Sequence, residues 1–189
     1  TDGAYSADNN YYTEGYTYSS LLPKNPGQEV LSVYADIMIT KFDNNGLEIW
    51  KTKFGGAYND FGQGIAIDNN NDPIVVGNSY SINWPQNTPS GAYTHAMTSQ
   101  GGSTWSDAAI LKFKKLTGGV TWSTLMGGSG ADVFQKVAVN SSNNIFVVGT
   151  TETSNFPYYG NNSFNQSFSG NIYGRKNGVI VKFTNLYPV

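Results

Sequence analysis

The chain has no cysteine and a single histidine, His95, among its 189 residues. Without thiols there is neither a disulfide framework nor a thiolate metal site. With one imidazole and no nucleophile elbow, neither a Ser-His-Asp set nor a zinc site of nitrogen and sulfur ligands has its parts. Charge is scarce too: Lys, Arg, Asp and Glu make up 13% of residues, about half the usual share, and the net charge is −2. The densest basic runs, Arg175-Lys176 and Lys112 to Lys115, are too thin for the footprint of a nucleic-acid partner. No stretch approaches the roughly 18 apolar residues of a membrane span, and no charged-then-apolar signal segment opens the chain. Thr1 stands where a start methionine would, so the chain is expected to be a piece of something longer.

What is present is glycine (22 residues), tyrosine (13 residues) and an internal repeat. Phe54-Gly55-Gly56-Ala57-Tyr58-Asn59-Asp60, followed by Gln63 and Ile65-Ala66-Ile67-Asp68, recurs as Met126-Gly127-Gly128 through Asp132, Gln135 and Val137-Ala138-Val139-Asn140. A repeat much longer than one hairpin means one supersecondary unit copied in tandem. Around it the apolar residues alternate with the period of a strand. Three segments, 36–42, 107–113 and 177–183, end in Lys-Phe. The first two lead through Asp43-Asn44-Asn45-Gly46 and Lys114 to Gly119 into strands carrying Trp50 and Trp122. After the Gly-Gly stretch come strands 63–67 and 135–139, an Asn-rich turn, and strands 73–77 and 144–149.

No helical period is sustained, so the chain reads as all-β: propeller-type blades of four antiparallel strands, with about two and a half repeats visible. A fragment, or an open assembly of several chains, follows from that count. The expected units are 1–35, the end of a preceding blade with its connection; 36–106 and 107–176, complete blades with long exit loops; and 177–189, the first strand of a following blade. The Gly-Gly stretch is expected to be a bend between strands rather than a phosphate cradle, because it opens no helix.

The ordered set of hairpin, Trp, Phe-Gly-Gly, Asp60 or Asp132, Asn turn, Val-Val-Gly strand and Asn155-Phe156-Pro157 exit (Asn83-Trp84-Pro85 in the other copy) resembles the bacterial seven-bladed β-propeller repeat family. The resemblance implies repeats in large secreted or cell-surface proteins without assigned enzymatic activity. Leu116-Thr117-Gly118-Gly119-Val120-Thr121-Trp122 also resembles the quinoprotein propeller repeat, but no adjacent Cys pair accompanies it. The Trp is read as a residue that docks one blade on another.

A residue shared by successive copies is expected to serve the sheet, since chemistry needs it once. Asp60/Asp132 and Gln63/Gln135 fall in that class, as buried groups bonding to backbone. Asp68, Asn70 and Asp72 place oxygens at alternate positions as a calcium loop does, yet Pro73 replaces its glycine and Ser79 its closing acid. An Asx turn between strands is the preferred reading, so no cofactor is expected and calcium is the alternative. Glu14, Glu29, Glu48 and Glu152 read as turn or strand-surface acids, not a glycosidase pair. The candidate binding residues lie in the long connections: Trp84, Tyr93 and Trp105 in one, with His95 as a solvated neighbour, and Tyr158, Tyr159, Tyr173 and Arg175 in the other. Rigid aromatics among Asn, Ser and Gly suit a protein partner, self-association or a glycan; the alternative is that they fold back over the sheets. The expected function is a non-catalytic, extracellular scaffold and interaction segment of a bacterial surface or secreted protein, with a carbohydrate-binding propeller as the second reading.

Overall fold

The computed structural model describes residues 1–22, 33–85, 105–153, 156–157, 176–184 and 187–188. Among them are twelve strands and no helix: β1 (Asp2–Tyr5), β2 (Tyr11–Thr17), β3 (Asp36–Phe42), β4 (Glu48–Phe54), β5 (Asp60–Ile67), β6 (Pro73–Ser79), β7 (Asp107–Phe113), β8 (Val120–Met126), β9 (Asp132–Val139), β10 (Ile145–Thr151), β11 (Asn177–Thr184) and β12 (Tyr187–Pro188). They form three four-stranded sheets, β1 to β4, β5 to β8 and β9 to β12, each with its strands side by side in chain order. All neighbouring pairs are antiparallel. The expected all-β class and four-stranded antiparallel sheets are therefore present.

The phase of the blades differs from the expectation. Boundaries before residues 36, 107 and 177 cut each sheet between its second and third strands, since β2 pairs with β3, β6 with β7 and β10 with β11. Three sheets stand where two and a half were counted. Strands close in sequence usually pair, which makes the five-residue Gly-Gly connection look internal to a sheet and the long connections look like exits. The reverse holds. Residues 55–59 and 127–131 cross from one sheet to the next, and the long connections lie between the second and third strands of a single sheet.

A buried aspartate fixes each crossing. The N–H of Asp60 donates to the Ala35 carbonyl at 2.7 Å and that of Asp132 to the Ser106 carbonyl at 2.6 Å, tying the new sheet to the base of the previous one. The Asp60 carboxylate then accepts from Gly56 N–H (2.7 Å) and Ser81 Oγ (2.9 Å), and Asp132 from Gly128 N–H (2.9 Å). Asp107 and Asp132 crowd Gly127 so closely that a Cβ there would lie 2.6 and 2.7 Å from their oxygens. Asp36 and Asp60 do the same at Gly55, which is why the crossing needs glycine.

The second sheet is buried on both faces. Tyr12, Ile37, Ile39 and Phe54 of the first sheet pack against its Ile65, Val75, Ala109, Leu111 and Phe113. On the other side Ile74, Val76, Ala108, Ile110 and Trp122 meet Phe134, Ile145, Val147 and Phe183 of the third. Every residue of β6 is accordingly buried, whereas its repeat counterpart β10 alternates buried and exposed. Trp50 behaves as the docking residue expected: its Nε1 donates to the Lys115 carbonyl in the next sheet at 3.1 Å, beside Lys41 Nζ on the same oxygen at 3.0 Å. Trp122 is fully buried against Phe183 between the second and third sheets.

Candidate functional site

The β1–β2, β5–β6 and β9–β10 turns form a row along one rim. Each begins with a side-chain oxygen that caps its own turn: Ser6 Oγ accepts from Asn10 N–H, Asp68 Oδ1 from Asn70 and Asp72 N–H, Asn140 Oδ1 from Ser142 and Asn144 N–H. Each contains one Asn in the left-handed region, Asn9, Asn71 and Asn143, at φ 61°, 65° and 62°. These asparagines also link the turns. Asn71 Oδ1 accepts from Ala7 N–H of the preceding turn at 3.0 Å, and Asn143 Oδ1 from Asn69 N–H at 2.9 Å. The repeat thus carries its own contact between sheets.

Asn71→Gly keeps the left-handed backbone and removes the amide, so it is expected to cost about 1 kcal/mol, the net value of one hydrogen bond. Asn71→Ala is expected to cost about 1–2 kcal/mol more, because alanine resists positive φ. Urea unfolding of both variants checks this; a Gly variant as stable as the parent would show that the link contributes nothing.

Asp68, Asn70 and Asp72 lie in the middle turn, where a lysine meets the two acids. Lys112 Nζ is 2.6 Å from Asp68 Oδ2 and 3.6 Å from Asp72 Oδ2. Asp72 Oδ1 accepts from Lys115 N–H, and the Asn70 carbonyl accepts from Lys115 Nζ. The oxygens weighed for calcium therefore have partners in the fold, and among the described residues no cluster of three His, Cys, Asp or Glu side chains is placed to hold a metal. Calcium or a chelator is expected to leave the melting midpoint unmoved; a calcium-dependent rise would show the acids exchanging Lys112 for the ion.

Of the sequence-chosen binding residues, Trp84 is corrected. It is 6% exposed and packs edge-on against Phe54 at 5.0 Å, inside the core between the first two sheets, so it closes the sheet instead of facing a ligand. Trp105 is half-buried immediately before β7. Tyr93, His95, Tyr158, Tyr159, Tyr173 and Arg175 lie outside the described residues, as does Glu29.

Glu14 is a second correction. It is a buried strand residue, 2% exposed, at the position held by Val76 and Val148 in the other sheets, and Gly62 of β5 makes room for it. Burial pushes its carboxyl up to about 7. Burial likewise raises Asp60 to about 7, opposed by its bonds from Ser79, Gly56 and Ser81, and raises Asp132 to about 6, opposed by those from Thr151 and Gly128. Gln63 and Gln135 are not buried bonding groups. Each is exposed and is the extra residue of a β-bulge, skipped where Gly62 and Gly64 pair with Gly77 and Val76, and where Phe134 and Lys136 pair with Gly149 and Val148.

Sequence reasoning passed over one surface group. Tyr18 meets Tyr16 edge-on at 6.1 Å, Tyr16 meets Phe61 at 4.9 Å, and Phe61 meets Tyr80 at 6.4 Å. Tyr16 and Tyr18 are 49% and 59% exposed. The ladder bridges the first two sheets at the rim opposite the Asn turns, with Tyr34 and Tyr58 paired beside the crossing at 5.5 Å. Between the second and third sheets the counterparts of Tyr16, Phe61 and Tyr80 are Asn78, Val133 and Glu152. That mismatch between copies was the available signal.

These features define a repeat protein of stacked four-stranded blades, held together by buried apolar faces and by the turn row. Residues 121–157 match the family model of the β-propeller repeat. The chain carries that repeat from β8 of the second sheet through the Gly-Gly crossing to the Phe156-Pro157 exit, and the internal copy places the same features at 49–85. No curated protein matches the chain.

Proposed function

We propose that the chain is a non-catalytic scaffold and interaction segment of an extracellular or cell-surface bacterial protein. The observation that carries the reading is how the two copies use their polar residues. The acids they share, Asp60 and Asp132, are enclosed in sheet crossings, and the Asn turns bond to one another. Side chains that differ between copies include Tyr16, where the next copy has Asn78, and Phe61, where it has Val133; Tyr16 is exposed beside exposed Tyr18, with Phe61 and Tyr80 half-buried against them. Stiff aromatic rings on a rigid sheet supply contact area at low entropic cost, which suits a protein or glycan partner.

Surface proteolysis of intact cells that make the protein tests the location: peptides of this chain are expected before lysis, and a chain protected until lysis would overturn it. A glycan array probed with the parent and with the Tyr16→Ser, Tyr18→Ser double variant tests the ligand class. Binding lost in the double variant supports a glycan, and an empty array leaves the protein partner.

A further inference from the structure

The two crossings share a backbone arrangement and differ in the side chains they carry. In each, the buried Asp bonds back to the previous sheet, and a strand-end N–H closes on the crossing itself: Tyr80 N–H donates to the Asn59 carbonyl at 3.0 Å, and Glu152 N–H to that of Ala131 at 2.8 Å. Yet the first crossing has Tyr58-Asn59 where the second has Gly130-Ala131. The second crossing is made without those side chains, so the backbone does not require them. The Tyr58 ring lies against Tyr34 at 5.5 Å, the planes tilted by 36°, and Tyr34 is 42% exposed.

Two amides stand beside these rings. Asn59 Oδ1 accepts from Ala35 N–H at 3.0 Å, and Asn83 Oδ1 from Ala57 N–H at 2.8 Å. The bonds fix which end of each amide is oxygen, leaving the Nδ2 ends with two N–H donors apiece. Asn59 is half-buried and Asn83 exposed, and neither Nδ2 donates to an acceptor among the described residues. Charge is missing from the whole area. Residues 16–22, 33–35, 55–59 and 78–85 contain no Asp, Glu, Lys, Arg or His, and the acids nearest the crossing, Asp36 and Asp60, are fully buried.

We propose that the first crossing, with the Tyr34 and Tyr58 rings and the Asn59 and Asn83 amides, binds an uncharged glycan chain. A sugar ring has an apolar C–H face, which suits the electron-rich face of an aromatic ring, and hydroxyl oxygens around its edge, which suit amide N–H donors held in place. An acidic sugar would need a cation for its carboxylate, and none stands there. The Tyr80–Asn59 backbone bond joins the crossing to the ladder of Tyr80, Phe61 and Tyr16, so further rings await the next sugars of a chain. This ligand class rests on the interaction-scaffold reading and narrows it.

The test is titration of the intact, 15N-labelled chain with neutral oligosaccharides (gluco-, manno- and N-acetylglucosamine oligomers) and, in parallel, oligogalacturonate, each to about 5 mM, a range that reveals dissociation constants on the order of 1 mM. At least one neutral series is expected to shift the side-chain NH2 signals of Asn59 and Asn83 while leaving Asn9, Asn71 and Asn143 of the turn row unmoved. Tyr34→Ser, at an exposed ring, is expected to weaken that binding by about 5- to 10-fold without changing the melting midpoint. The pair Tyr58→Gly, Asn59→Ala installs the residues of the second crossing and is expected to weaken it by about 10-fold or more; circular dichroism and the turn-row signals report whether the fold is kept. Binding that persists in both variants places the sugar elsewhere and overturns the proposal. So does a preference for oligogalacturonate. No binding by any neutral series overturns it in favour of a protein partner, for which Val33 and Ile82, 82% and 61% exposed, stand next in sequence to Tyr34 and Asn83; the surface-proteolysis result for the scaffold reading is unaffected by that outcome.

Discussion

Gly77→Ala is expected to lower the unfolding free energy by about 3 kcal/mol or more, with Gly149→Ala close behind. The two glycines face the bulges at Gln63 and Gln135. There the extra residue drives the neighbouring backbone of the inner strand toward the glycine, and a methyl group on Gly77 would overlap the Phe61 carbonyl oxygen, one on Gly149 that of Val133. The obstruction is backbone, held on one side by the ladder and on the other by the adjoining sheet, so no side chain can swing aside. Relief requires moving β5 away from β6, which would disturb Ile65 and Val75 in the core shared with the first sheet. Gly178→Ala serves as the control, since a Cβ at that strand position meets nothing. It is expected to be neutral or to stabilise by a few tenths of a kcal/mol through the unfolded chain. Chemical denaturation of the three variants checks the set. A Gly77 variant within about 0.5 kcal/mol of the parent would show that the bulge yields without cost.

Stability is expected to fall as pH rises from about 4 to about 8, the opposite of a protein held by surface acids. Glu14 and Asp60, raised to about 7, and Asp132, raised to about 6, hold their protons more tightly folded than unfolded. Their contribution is complete below the ordinary carboxylate range and is lost as pH passes through those folded values. Each pKa unit is worth about 1.4 kcal/mol, so Asp60 alone implies a loss on the order of 2–4 kcal/mol. Asp2, Asp8 and Asp43 act the other way. The Lys136 bond lowers Asp2, the Ser6 hydroxyl lowers Asp8, and the Leu47 N–H lowers Asp43, so their contribution is present above the ordinary value and disappears in stronger acid. The maximum should therefore lie near pH 4 to 5. Asp60→Asn keeps an acceptor for Gly56 N–H and cannot ionise; it is expected to raise the melting midpoint at about pH 8 and flatten the slope. Calorimetry across that range decides. A parent midpoint that climbs with pH, or an Asn variant with an unchanged slope, would show that these carboxyls are not the groups that titrate.

Much of the architecture was legible because repetition reports on structure directly. Matching strands, turns and Trp residues in two copies identify a blade-like sheet, and Trp50 docks on the next sheet as its recurrence implied. The site was less legible, for a reason visible in particular residues. Trp84 and Tyr16 look equally like loop or strand-end aromatics in one dimension, yet Trp84 is enclosed beside Phe54 and Tyr16 stands in solvent. Burial depends on what the neighbouring sheet places opposite, and that neighbour lies far away in sequence. Glu14 shows the same thing: a strand acid usually faces water, and only the space left by Gly62 lets it go inward.

By itself the sequence determined the class of element, the pairing within each hairpin and the unit that is copied, because alternation and turn chemistry act between residues a few positions apart. Tertiary structure decided where one sheet stops and the next begins, and which faces are covered. The Gly-Gly connection is short enough for a hairpin. What makes it a crossing is Asp60 bonding back to the base of the previous sheet and Asp132 doing likewise, contacts of 25 and 26 residues' separation that no local pattern records. The same distance explains the third sheet: its Phe146, Val148 and Ile180 repeat residues that are buried elsewhere, and they are exposed because no further sheet lies against them among the described residues.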